Sequence, residues 1–320
     1  MRRIFSLLGQ DLRLLLRNAI FWVVSVSLVL IVITVRFLLP ADSQLPSNAL
    51  VTHGLDLAGA ERLDSPAAVE AQVRERGAIG LIMEDGTLTV VHSGWSEQAV
   101  AALVTQLTPP DGQLPAITTQ VLRQSTGDVP RNLRMMPVFI SFEAVVLGFL
   151  MAAILLLGEK QEAVLRAYRV SPGGTWAYLA SKSLLFICVG TVYALLMAVL
   201  TLGFSFHAGQ FVLLTALACL FYTLLGLSVA AFFEDISGWF AVAVLILSLN
   251  MLPMFSYVVP TFSPAWMQLI PSYGGLFAYE EILFPTGKSL QAVYLTLGAW
   301  TLAALGLCSL VIKRQLLTAK

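Results

Sequence analysis

The sequence predicts a polytopic α-helical membrane protein with one small α/β domain set between its first two spans. Hydrophobic residues make up 58% of the 320 and charged residues 12%, whereas a soluble domain is about a quarter charged. Mean hydropathy is +0.82. Apolar runs of about twenty residues recur, the length a helix needs to cross a hydrocarbon core of about 30 Å. Charges, prolines and turn signals concentrate between residues 41 and 132, where no run approaches that length.

Residues 1–18 form an amphipathic helix by pattern. Arg3, Ser6, Gln10, Arg13 and Arg17 fall at spacings of three and four and make one polar stripe, and leucines fill the rest. Such a helix lies in the membrane interface with its arginines toward anionic headgroups. The first span runs from about Ala19 to Leu39, and Pro40 closes it. It is too long for a cleaved leader and has no small-residue cleavage site, so it is expected to remain.

Residues 41–132 read as a domain of strands and short helices. Ala49–Leu55 is predicted as a strand, and Ser65-Pro66 caps a helix running to about Arg76. Ala78–Met83 and Thr87–His92 alternate around Glu84-Asp85-Gly86 as a hairpin. Ser96 caps a helix to Leu107, and Ile117–Arg123 is a last strand. His53 and His92 stand alone and read as structural or surface residues.

Five further spans are predicted over about 136–157, 183–204, 211–233, 239–259 and 290–312. Pro260–Lys288, rich in aromatics and prolines, suits short helices dipping into the interface. Arginines and lysines near the span ends gather on the side of the termini and of Gly158–Lys182. That side is therefore expected to be cytoplasmic and the 41–132 domain external.

Within the spans, Glu143 is the one acidic residue at depth. A carboxylate there is costly unless paired, protonated or facing water. A structural pairing with Arg131 or Arg134 and a functional role both account for it. Asn250 is the other buried polar group, suited to interhelical hydrogen bonding or to a substrate path. Glu280 and Glu281 read as solvated. The three cysteines lie inside apolar runs without metal-ligand spacing, and zero net charge argues against a nucleic-acid partner. Gly287-Lys288-Ser289 lacks the first glycine of a phosphate-binding loop, and Ser205 with His207 has no acid nearby. No catalytic or metal site emerges.

The densest charge in the second half is GEKQEAVLRAYRVSPGGTWAYLASK, Gly158 to Lys182. Glu159, Lys160, Glu162, Arg166 and Arg169 crowd into about three turns of predicted helix, with Glu162 and Arg166 spaced as an ion pair. Ser171-Pro172-Gly173-Gly174 stops it. This stretch resembles the cytoplasmic element of permease subunits in type-2 ABC exporters. Glu159-Lys160, Val170-Ser171-Pro172 and Tyr178-Leu179-x-x-Lys182 match, while Ala163-Val164-Leu165 replaces the usual Gly-Thr-Leu. The order of a basic amphipathic helix, six spans and re-entrant external helices before the last span extends the resemblance, closest to multidrug-export permeases.

The resemblance implies an elbow helix carrying Arg3, Arg13 and Arg17, and a coupling helix over 159–170 seated on a separate cytoplasmic ATPase. Glu159, Lys160, Glu162, Arg166, Arg169, Ser171 and Pro172 would form that contact. ATP and Mg would belong to the partner ATPase dimer, and none to this chain. The permease would pair with a second copy or a sister chain in a bacterial cell membrane. It would export a drug-like or amphipathic substrate, with Glu143 and Asn250 on the path or gate. The expected organisation is then 1–40 for elbow helix and first span, 41–132 for the external domain, and 133–320 for the remaining spans. The rival reading is a membrane-anchored sensor with an external ligand-binding domain; an intramembrane enzyme comes third.

Overall fold

The computed structural model describes residues 2–38, 50–54, 60–76, 79–84, 87–93, 116–123, 132–162, 174–258 and 262–318. Contacts divide the chain into two compact units, Met1–Leu39 with Met135–Lys320, and Pro40–Arg134.

The first unit is a helical bundle. Helix α1 (Arg2–Arg17) ends where Asn18 takes an extended conformation, φ −81° and ψ 124°, and accepts a hydrogen bond from the amide of Ile20. The chain therefore leaves one helix and enters the next within a single residue. Three faces of α1 are distinct: Asp11 and Leu15 are buried, Leu12 and Leu16 are exposed, and Ser6, Gln10, Arg13 and Arg17 are exposed as the polar stripe. The buried face packs on the helix Gly174–Leu202.

Among the described residues, six helices are long and apolar enough to cross a membrane, so the chain is a multi-pass α-helical membrane protein. The first is α2 (Ala19–Ile33), continued as a π-helical turn over Thr34–Leu38. The second covers Leu133–Gln161 and joins α4 (Met136–Val146), a π-helical turn over Leu147–Met151 and α5 (Ala152–Gln161). The third is α6 (Gly174–Leu202), the fourth α7 (Ala208–Ala230), and the fifth α8 (Ile236–Val258). A short 3₁₀ turn over Ala265–Leu269 and α9 (Pro271–Leu283) precede the last, α10 (Gln291–Thr318).

The second and fourth spans are the core, 80% and 61% buried over their apolar windows against 22% for the first and fifth. Where they meet, backbones touch. A Cβ on Gly226 of α7 would collide with the carbonyl of Phe149, and one on Gly148 would press on the Cys219 carbonyl at 3.1 Å and the Thr223 amide at 3.2 Å. Small residues are what allow helices to approach so closely in a bilayer.

Two boundaries differ from the sequence expectation. The second span continues past Leu157 to Gln161, and the third begins at Gly174 rather than Ser183. Glu159 and Lys182 were counted as charges outside the bilayer; both are buried, and their mutual pairing lets both helices run on through them. Glu159–Gln161 form the last turn of α5. The rest of the predicted coupling helix, with Arg166, Arg169, Ser171 and Pro172, lies outside the described residues.

The second unit holds β1 (Leu50–His53), β2 (Glu61–Arg62), α3 (Pro66–Arg76), β3 (Ile79–Glu84), β4 (Thr87–Ser93) and β5 (Ala116–Arg123). Their sheet order is β2-β1-β3-β4-β5, with only the β3–β4 pair antiparallel. Val51, Val69, Val73, Ile82 and Val91 make its core as α3 closes over one sheet face. The Ser65 hydroxyl accepts from the Ala68 amide and caps α3. Strand β2 is too short for any alternation to reveal it. The helix predicted over 96–107 lies outside the described residues.

Candidate functional site

The most organised polar site in the bundle lies where α1, the end of α5 and the start of α6 converge. Lys182 of α6 is fully buried, and its ammonium donates to Asp11 Oδ1 at 2.7 Å and to Glu159 Oε1 at 2.5 Å. The Ser181 hydroxyl donates to Asp11 Oδ2 at 2.9 Å, and the Tyr178 hydroxyl donates to Glu159 Oε2 at 2.8 Å. Each of the four carboxylate oxygens thus faces a donor, with Lys182 serving two of them and the Ser181 hydroxyl lying also 3.2 Å from the Tyr178 carbonyl. The Tyr178 ring lies 5.4 Å from the ammonium and offers it a π face.

Two carboxylates on one lysine leave an excess of negative charge away from water. Hydrogen bonding of every oxygen is what makes such a cluster tolerable. Tyr178 and Lys182 are four residues apart and so share a face of α6, which explains why the Tyr-Leu-x-x-Lys spacing works here.

Lys160, next to Glu159, points another way. Its ammonium donates to the carbonyls of Ala231 at 2.5 Å and Phe233 at 2.9 Å, just past the end of α7. A cation there satisfies carbonyls that the helix leaves open and complements its dipole. The Glu-Lys pair therefore braces the second span against both the third and the fourth. Glu162 differs: it closes α5 as the C-cap and is exposed.

Arg13 and Arg17 lie on the exposed stripe of α1; the backbone of Arg3 is in the same helix and its side chain lies outside the described residues. Asp11 escaped the sequence reading, yet it carries a signal. It is the lone acidic residue in 1–18 and falls among leucines on the side away from the arginines.

Glu143 is buried on α4, sixteen positions before Glu159 on the same span. Its Oε1 lies 2.9 Å from the Ser27 hydroxyl of α2, and among the described residues Oε2 has no partner. An arginine was one expected partner; among the described residues none pairs with it, and Arg131 lies outside them. Ser25, two residues before Ser27, is hydrogen-bonded to Tyr193 of α6. Three spans thus meet around a half-satisfied carboxyl, directly before the π-helical turn. Such turns gather at functional sites.

Asn250 of α8 is fully engaged. It accepts from the Tyr222 hydroxyl at 2.9 Å, donates to the Ile246 carbonyl, and its own carbonyl accepts from Ser272 of α9 at 2.9 Å. It joins the fourth and fifth spans to α9.

Glu281 corrects an expectation. It is not solvated but 8% exposed, and it receives four hydrogen bonds from the turn after α9. These come from the Thr286 hydroxyl and the amides of Thr286, Gly287 and Lys288, at 2.5–3.0 Å. Burial works to raise its carboxyl, and those donors outweigh it and hold it below the usual carboxylate range.

Among the described residues, no three His, Cys, Asp or Glu side chains gather as metal ligands. The arrangement is one of fixed charges joining helix ends.

Comparison with known proteins bears on what these helices serve. The profile of the ABC-2 family transporter protein matches residues 97–312, more than half of the chain. Two proteins named fluoroquinolones export permease, from Mycobacterium tuberculosis strains CDC 1551 and H37Rv, are each 26% identical over 154 residues. The match spans 47% of this chain and 65% of each relative. No solved structure matches. The extent of the profile match, over five of the six spans and the braced helix ends, places the chain in the family of ABC-2 transporter proteins.

Proposed function

We propose that the chain is the membrane-spanning permease of an ATP-driven exporter, moving a drug-like or amphipathic substrate out of the cytoplasm or inner leaflet. Family membership and the names of the two relatives support export. The observation that carries the mechanism is the bracing of Glu159, Lys182 and Lys160, which fixes the ends of α5 and α6 on either side of residues 163–173. A segment strung between two fixed helix ends cannot be pushed without tilting the spans behind it.

A separate ATPase dimer, holding ATP and Mg, pushes on this segment. Glu162, Arg166, Arg169, Ser171 and Pro172 make the contact, while Glu159 and Lys160 hold the helix ends that receive it. The permease works with a second copy or a sister chain in a bacterial cell membrane, both termini cytoplasmic and the 41–132 domain external. The leucine face of α1 then lies in lipid and its Arg13–Arg17 stripe toward headgroups. Glu143 and Asn250 stand on the substrate path or its gate.

Purification in mild detergent at native expression, with mass spectrometry of what accompanies the chain, tests this. A stoichiometric partner with a phosphate-binding loop is expected, and reversing both Glu162→Lys and Arg166→Glu should release it. Absence of any ATPase across several detergents and nanodiscs would overturn the reading.

A further inference from the structure

We infer that Asp11, Lys182 and Glu159 form a clamp that makes α1 move as one body with the helix ends flanking residues 163–173, and that Asp11 is the positioning residue through which α1 takes part in transport. The inference rests on the exporter reading for its purpose, though not for its geometry.

Among the described residues, Asp11 carries the side-chain hydrogen bonds that join α1 to α6, and such bonds fix a register more sharply than apolar contact does where the surrounding lipid is itself apolar. Asp11 is 1% exposed, and its two oxygens take hydrogen bonds from two adjacent residues of α6, Lys182 at 2.7 Å and Ser181 at 2.9 Å. Sliding α1 along α6 or lifting it away would strip a buried carboxylate of both donors. Asn18 then transmits the position of α1 to the first span within one residue.

The clamp is also shared. Lys182 serves Asp11 and Glu159 at once, and Tyr178 holds the other oxygen of Glu159. Glu159 closes one side of the 163–173 segment, and Lys182 lies one helical stretch beyond the other. A push that displaces Glu159 alters the ammonium on which Asp11 depends. The interfacial helix is thereby tied to the state of the segment, though the two are far apart in sequence.

The test uses the full chain with its three cysteines replaced by alanine and spin labels at Ser6→Cys on α1 and Gln161→Cys on α5, both exposed positions. The wild-type distance distribution is expected to be narrow. Asp11→Asn should broaden it about twofold, Ser181→Ala less, and Asp11→Glu should restore it. In the chain co-purified with its ATPase, Asp11→Asn should lower substrate moved per ATP hydrolysed roughly tenfold while hydrolysis continues.

An Asp11→Asn distribution as narrow as wild type would overturn the clamp. So would an equal loss with Asp11→Glu, or an unchanged transport-to-hydrolysis ratio. Should Asp11→Asn fold poorly, Ser181→Ala decides on the same distance, since it leaves every charge in place. If wild type brings no ATPase with it, the exporter reading fails, and the distances still settle whether the clamp exists.

Discussion

Two buried carboxylates on one membrane span are treated in opposite ways. Glu159, at the end of α5, has a lysine on one oxygen and a tyrosine on the other, and its lysine is anchored again by Asp11. Glu143, on α4, has one serine and an oxygen with nothing to accept from. The first is a saturated joint whose every hydrogen bond would be lost on movement. The second loses little by changing partner or protonation state. Under the proposed exporter function, a span that tilts needs both kinds of site, one to receive force and one to reset; the two differ in how completely their oxygens are satisfied.

The sharpest way to break the comparison is Lys182→Met. It strands two buried carboxylates and should cost about 3–5 kcal/mol, enough to lose the folded chain in detergent. Thermal unfolding followed by size-exclusion chromatography measures this. The triple change Asp11→Asn, Lys182→Met, Glu159→Gln removes all the charge and should recover most of that stability. Recovery of stability without recovery of transport marks the joint as functional; failure of the triple variant to recover any stability would mean that packing at Lys182, and not its charge, is what the site needs.

Much of this architecture was legible because it rests on one-dimensional signals. Twenty apolar residues in a row announce a span whatever they pack against, and Ser65 caps a helix by local bonds alone. The stripe of Arg13 and Arg17 shows in its spacing. The joint did not show, because it is assembled from residues 11, 159 and 182, and each looked like something else. Glu159 and Lys160 sat in a charged run and read as surface, although Glu159 is buried against Lys182 and Lys160 is half-buried against the carbonyls past α7. Asp11 was overlooked beside a clean arginine stripe. Glu143 was found for the opposite reason: with no charged neighbour in the sequence, it stood out as an anomaly.

Glu281 offers an intermediate case, a carboxylate saturated by hydrogen bonds with no counter-ion among the described residues. Since its carboxyl is held below the ordinary value, its contribution is complete above about pH 4.3 and disappears as pH falls through the lower folded value. Glu281→Gln keeps the shape but replaces one acceptor with a donor facing donors. It should cost about 1–2 kcal/mol at pH 7, with the difference from wild type unchanged down to about pH 5 and shrinking in stronger acid. A difference that instead grew on acidification would contradict the anionic cap. The turn at residues 284–288 would then be held by something other than this carboxylate.

The smallest stability effect belongs to Glu143, and there the smallness is the point. The Ser27 hydroxyl lies 2.8 Å from the Val24 carbonyl and 2.9 Å from Glu143 Oε1. A hydroxyl carries one proton, so it can donate to only one of these at a time. Glu143→Gln resolves the conflict: the new amide donates to Ser27 while Ser27 donates to Val24, and no charge needs a partner. Stability should therefore stay within about 0.5 kcal/mol of wild type or rise slightly. Transport should fall, because an amide can neither release a proton nor attract a cation. Unfolding curves and efflux from the same preparation decide it. Unchanged transport with unchanged stability would remove Glu143 from the substrate path, and a large loss of stability would make it a second joint like Glu159.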